Sequence, residues 1–248
     1  MKIWNISYHD QIKSRILNKV CSLTEQLDSI TKGRTMPDPE DVRIGSGKYM
    51  EIAVLFIDIC KFTSRGSDNE NEQKEILIML NLFISEMMAI IRDYGGIVEK
   101  NTGDGLMAYF GTESKDANCI ALDAVLASIT MHYVTSNFIN PLLQNMRVYP
   151  ISFRIGIDQG KVTIARIGVP NLNRITAVGA TANIACRLLD LAGPNQTFIG
   201  NEVYLNLPIQ LKELCRPVFF KSTGYIYVAT KRNYPIWEYI GRWRKPIK

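Results

Sequence analysis

Six consecutive apolar residues, Ile52-Ala-Val-Leu-Phe-Ile57, run straight into Asp58. A run this short, and this rich in β-favouring side chains, predicts a central strand buried on both faces. A carboxylate at the end of such a strand is costly to bury unless a cation or hydrogen-bond donors face it. Further on, Ile97-Val98 and Leu106-Met107-Ala108-Tyr109 flank Gly103-Asp104-Gly105, a pattern that predicts a β-hairpin with Asp104 at its tip. Two aspartates on strand ends of one sheet would make a hard-oxygen site for Mg²⁺ or Mn²⁺. Strand-end Asp and Gly-Asp-Gly are also ordinary turn chemistry, and spacing alone leaves both readings open.

The 248 residues allow one large domain or a domain with an appendage. With 46% hydrophobic and 21% charged residues the composition is that of a folded globular protein. The net charge of +5 suits a small polyanionic substrate as well as nucleic acid, and part of it sits in a basic tail, Arg242-Trp-Arg244-Lys245-Pro-Ile-Lys248. Cys21, Cys60, Cys119, Cys186 and Cys215 form no C-x-x-C pair, which reads as reduced thiols and a cytoplasmic chain. The amino terminus has no apolar core of a signal peptide. The stretch 76–91, read as the most apolar long one, is broken by Asn81, Ser85 and Glu86, so no membrane span is expected.

In chain order, Ile6, Ile12, Ile16, Leu17, Val20, Leu23, Leu27 and Ile30 predict an amphipathic helix, packed on the core or on a second subunit. Residues 31–47, with Pro37, Pro39, Gly33, Gly45 and Gly47, read as an arm or linker. The division expected is therefore 1–47, helix and arm, and 48–248, the main domain. Residues 70–94 carry helical periodicity and end on Gly95-Gly96, and 116–134 reads as a second helix with a small-residue face. A loop is expected over 137–149, bracketed by Pro141 and Pro150. Ile151-Ser-Phe-Arg-Ile-Gly-Ile157 and Val162-Thr-Ile-Ala-Arg-Ile167 read as a hairpin turning at Asp158-Gln-Gly160. Asn183 and Arg187 stand four apart, on one helix face. Short β-like pieces close the chain at 218–220, 225–228 and 236–240.

Three of these stretches carry a resemblance. Val54-Leu-Phe-Ile-Asp58-Ile-Cys-Lys-Phe62-Thr63, Gly95-Gly-Ile-Val-Glu-Lys100-Asn-Thr-Gly103-Asp104-Gly105, and Gly179-Ala-Thr-Ala-Asn183-Ile-Ala-Cys-Arg187 resemble, in order, the catalytic domain of class III nucleotidyl cyclases. The resemblance implies an α+β, ferredoxin-like (palm-type) fold with an antiparallel-rich sheet. It implies attack of a ribose 3′-hydroxyl on the α-phosphorus of a nucleoside triphosphate, with two divalent cations, Mn²⁺ or Mg²⁺, as cofactors. Carried over residue by residue, Asp58, Asp104 and the backbone carbonyl of Ile59 hold the metals. Phe62 and Thr63 bind the triphosphate through backbone N–H groups, Asn183 orients the ribose, and Arg187 stabilises charge on the α-phosphate. Thr223-Gly224 and Val228-Ala-Thr-Lys231 match the family's carboxy-terminal elements loosely, and would make Lys231 a triphosphate lysine. In the family the metal aspartates and the Asn/Arg pair of one site come from different chains, which implies a head-to-tail homodimer. Neither nucleic acid nor membrane is implied as a partner.

The resemblance assigns base recognition to Lys100 and Thr176. This pair is similar to that of adenylate cyclases rather than guanylate cyclases, yet a lysine also bonds the acceptors of a pyrimidine. Ala180 and Ala182 depart from the usual Asp and Val. A free-standing domain with Gly179-Ala-Thr-Ala-Asn183 resembles the pyrimidine cyclases of bacterial Pycsar antiphage defence, whose product activates a separate effector. The reading is a uridylate cyclase making cyclic UMP, with cyclic CMP or cyclic AMP as alternatives. A catalytically silent nucleotide-binding module is the alternative of another class; it would be favoured by loss of a metal aspartate, the Asn or the Arg, and none is lost. The lack of a Gly-Gly-Asp/Glu-Glu-Phe signature argues against a diguanylate-cyclase palm.

Overall fold

The apolar run forms the middle of β1 (Gly47–Ile59), a thirteen-residue strand at the centre of a mixed sheet. The computed structural model describes residues 4–26, 47–64, 68–111, 116–169, 172–227 and 230–246, without the side chains of 19–26, 47–49, 165–169 and 172–175. The expected arm at 31–47 lies almost wholly outside them, as do the side chains of Cys21 and Tyr49.

Around β1 the chain lays α1 (Ile6–Gln26), α2 (Glu70–Asp93), β2 (Ile97–Asn101), β3 (Gly105–Phe110) and α3 (Ala117–Val134). A π-helical turn (Thr135–Ile139) leads to α4 (Asn140–Asn145), followed by β4 (Phe153–Val169), β5 (Leu172–Val178) and α5 (Ala180–Leu191). The rest is β6 (Thr197–Gly200), α6 (Asn201–Asn206), α7 (Ile209–Lys212), β7 (Cys215–Pro217) and β8 (Ile236–Tyr239). The sheet order is β2-β3-β1-β4-β6-β8-β7, with β5 paired to the far end of β4. Every pairing is antiparallel except β4 with β6. This is the α+β, antiparallel-rich architecture expected.

One sheet face buries the larger core, where Leu55, Ile57, Phe153, Ile155 and Ile157 meet α2 and α3, and α1 adds Tyr8, Ile12 and Ile16. Among the described residues, the other face carries a single helix, α5, over Ile52, Val54, Met107, Tyr109 and Val162. Close approach there depends on Gly156, since a Cβ would stand 2.3 Å from Ala185 O and 2.4 Å from Leu189 N.

Four expectations are corrected. Residues 153–169 form one continuous strand, not a hairpin. β1 pairs with β4 from Phe153 to Ala165, so Gly160 lies opposite Ile52 in unbroken register, and the true hairpin is β4 with β5. Residues 137–145 are helical rather than a loop. The π-turn brings Pro141 into the first turn of α4, where its missing N–H costs nothing, and Ile139 and Leu143 are fully buried. Residues 218–220 form no strand, and of the expected 225–228 the described part, 225–227, contributes only the Ile226–Asn233 bridge. The most apolar long helix is likewise not 76–91 but Ala117–Asn145, the one described helix long and apolar enough to cross a membrane, and its most apolar stretch is largely buried inside the protein.

Candidate active site

Asp58 is the penultimate residue of β1 and lies opposite Gly105, the first residue of β3. Asp104 therefore sits beside it, and Ile59 N donates to Asp104 O at 3.2 Å. This crossing needs a glycine: a Cβ at Gly105 would stand 2.4 Å from Ile57 O. Burial, and after its own backbone amide the neighbouring Asp58 carboxylate, act on Asp104, and the net effect raises its carboxyl above the usual range. A carboxyl raised by desolvation and a like charge is one whose ionised form gains from a divalent cation. Two carboxylates and the Ile59 carbonyl are hard oxygen donors suited to Mg²⁺ or Mn²⁺, so the residues fit such a metal. Among the described residues, no third His, Cys, Asp or Glu side chain groups with the two aspartates in a way that could hold a metal ion.

Arg154 escaped the sequence reading. It lies opposite Asp58 on β4, and its Nη2 and Nε reach the same Asp58 oxygen, Oδ2, at 2.9 and 3.1 Å. Nη1 stands 3.4 Å from Asp190 O near the end of α5. Its one available signal was a charge inside an alternating strand, which by default points to solvent. Asp58, Ile59, Phe62, Thr63, Asp104 and Arg154 line one cleft of about 400 Å³. Phe62 and Thr63 enter it from a 3₁₀ turn (Phe62–Ser64), Phe62 half-buried and Thr63 exposed.

Asn183 and Arg187 do not line this cleft. Both are exposed on α5, Arg187 with Nη1 3.9 Å from Asp190. Lys100, on β2 and 3.8 Å from Glu99, lies toward the same helix. The Cys186 thiol, raised by burial and then by Asp190, feels opposing cationic fields from Arg187, Lys100 and Arg154. Thr176 on β5 is half-buried and hydrogen-bonded to the Tyr109 hydroxyl, which also accepts from Ala177 N at 2.9 Å. Lys231 is exposed in a left-handed conformation, φ 56°, at the turn of a hairpin described over 225–227 and 230–234. The structure thus brings Asp58, Ile59, Asp104, Phe62 and Thr63 together. It gathers Lys100, Thr176, Asn183 and Arg187 around the α5 face, and leaves Lys231 apart from the cleft.

The sequence model of the adenylate and guanylate cyclase catalytic domain matches residues 44–237. Among curated proteins, a uridylate cyclase of Burkholderia cepacia is 26% identical over 85% of this chain and 88% of its own length. A cytidylate cyclase of Staphylococcus aureus is 24% identical over 68% of this chain, which spans only 41% of that protein. Among solved structures, the adenylyl cyclase CyaB from P. aeruginosa is similar at a TM-score of 0.63 and 26% identity, covering 82% of this chain and all of that one.

Proposed function

The chain belongs to the adenylate and guanylate cyclase catalytic-domain family, and from that premise we propose that it is a uridylate cyclase, converting UTP to cyclic UMP and pyrophosphate at sites shared between two copies. One observation carries the shared site: Asp58 and Asp104 line a cleft from which the exposed Asn183 and Arg187 are absent. Each chain then holds two complementary half-sites, and a head-to-tail dimer completes both.

Asp58, Asp104 and the Ile59 carbonyl would hold two divalent cations, whose chemistry there is to acidify the 3′-hydroxyl and neutralise the departing pyrophosphate. The backbone at Phe62 and Thr63 binds the triphosphate, and Arg154, fixed beside Asp58, adds a permanent positive charge. From the second copy, Asn183 orients the ribose and Arg187 meets the charge that builds on the α-phosphate. Lys231 holds the triphosphate, and Lys100 and Thr176 read the base.

UTP is preferred because the similarity to the uridylate cyclase extends over most of both chains. Lys100 with Thr176, and the likeness to an adenylyl cyclase structure, favour ATP as a second reading; the Staphylococcus aureus relative makes CTP a third. A pyrimidine product would act as a second messenger on a separate effector in antiphage defence. The test is product identification by chromatography and mass detection from equimolar ATP, GTP, CTP and UTP with Mn²⁺, beside Asp104→Ala. Cyclic UMP that disappears in the variant supports the proposal. Cyclic CMP or cyclic AMP reassigns the base, and no cyclic product from any triphosphate turns the chain into a silent binding module.

A further inference from the structure

Away from the cleft, a buried hydrogen-bonded cluster ties the hairpin, through residues 225–227 and 234, to the sheet. Asp158 stands in mid-β4 opposite Val54 and is 1% exposed. Tyr234, 4% exposed, donates its hydroxyl to Asp158 Oδ1 at 2.6 Å and accepts from Glu202 N at 3.0 Å. Tyr227 donates to Glu202 Oε1 and accepts from Asn201 Nδ2, both at 3.1 Å. The Tyr225 and Tyr227 rings pack on Tyr234 with centroids 5.6 and 5.3 Å away.

Two properties give this cluster a consequence for the reaction. The hairpin's own backbone bonds, Tyr234 N to Tyr225 O, Tyr227 N to Arg232 O and Lys231 N to Tyr227 O, hold it as a ribbon but do not orient it. An isolated two-stranded ribbon is marginal, so side chains must set its direction. Second, Tyr234 shares a small core with Ile184 and Leu188 of α5, together with Phe198 and Ile236. Ile184 and Leu188 are the immediate neighbours of Asn183 and Arg187. The hairpin that presents Lys231 and the helix that presents Asn183 and Arg187 are thus mounted on one block of side chains, and Asp158 fastens that block to β4.

We infer that Asp158 and Tyr234 are positioning residues for the reaction: their hydrogen bond sets the direction of the hairpin, and so the reach of Lys231 toward the triphosphate. The inference rests on the reading of Lys231 given above. Neither residue touches substrate in this scheme, so the effect must travel through Lys231, and a double-mutant cycle isolates such coupling.

The test measures kcat and KM in the full chain for UTP, or for the triphosphate that product identification puts in its place. Tyr234→Phe keeps the ring and removes one hydroxyl; a lost hydrogen bond of this kind predicts a KM raised about tenfold with little change in kcat. Asp158→Ala should match it. Asp158→Asn, whose amide oxygen still accepts from Tyr234, should return KM to that of the parent. In a Lys231→Ala background, Tyr234→Phe should add nothing further. If Tyr234→Phe is silent while Lys231→Ala raises KM, the positioning role is overturned and the Lys231 reading stands. If Lys231→Ala is silent while Tyr234→Phe still raises KM, or if both backgrounds lose equally, the route through Lys231 is overturned.

Discussion

Arg154 puts two nitrogens of a planar, permanently charged group on one oxygen of Asp58, and a lysine cannot reproduce that fork. Arg154→Ala removes the guanidinium bonded to Asp58, and should lower kcat/KM by about 10- to 100-fold, measured by steady-state cyclase assay. Asp158 behaves differently. Burial, reinforced by Glu202, pushes its carboxyl from 3.8 up to about 8 despite the bond from Tyr234. The folded chain then keeps a proton that the unfolded chain gives up. Its stabilising contribution is full below pH 3.8 and is lost as pH rises toward about 8. Urea midpoints across that interval should therefore fall less steeply with pH in Asp158→Asn than in the parent. The strand-end positions of Asp58 and Asp104 were legible in the sequence, because an apolar run and a hairpin pattern place them there; the resemblance, not the spacing, singled them out as a pair. Arg154 and Asp158 were not legible. Each sits in an alternating strand, and what it does depends on Asp58, 96 residues away, or on Tyr234, 76 residues away.

Among elements, α1 is joined to α2 by charge as well as by packing. Arg15 gives three short contacts to Glu86, which is 1% exposed, and a fourth to Asp93 at 3.0 Å. Arg15→Ala removes the guanidinium from a buried carboxylate and should cost about 3–5 kcal/mol by chemical denaturation, with Arg15→Ala/Glu86→Leu recovering part of the loss. The periodicity of α1 and α2 was readable because each has one wet face. The helix continuing past α3 was not, because Thr135, Ile139 and Leu143 are buried on a turn whose register the π-bulge shifts. Strand β4 misled for a related reason: Asp158-Gln-Gly has turn composition, but in the interior Asp158 accepts from Tyr234 and Gln159 Nε2 donates to Ala117 O. Strand β6, four residues long and fully buried, is too short to show a period.

Seen whole, the sheet is covered unevenly among the described residues, with α1, α2 and α3 over one face and α5 over the other. Asn183 and Arg187 are exposed on α5, where the proposed dimer would form. Asp58→Ala and Arg187→Ala, each inactive alone, should on mixing regain activity through one intact site per heterodimer, up to about a quarter of the parent's rate for random pairing. No recovery across a concentration series would sink the shared site. At the far side of the molecule, residues near both ends of the described chain meet. Trp4 and Trp243 stack with ring centroids 5.3 Å apart and planes 3° from parallel. Trp4 also donates to Arg244 O at 3.3 Å, and Trp243 to Thr130 at 2.9 Å. Two indoles so aligned absorb ultraviolet light as a coupled pair, and the contact is an optical gauge of the protein's own making. Loosening of the amino-terminal helix would register in the near-ultraviolet circular dichroism without any dye or label.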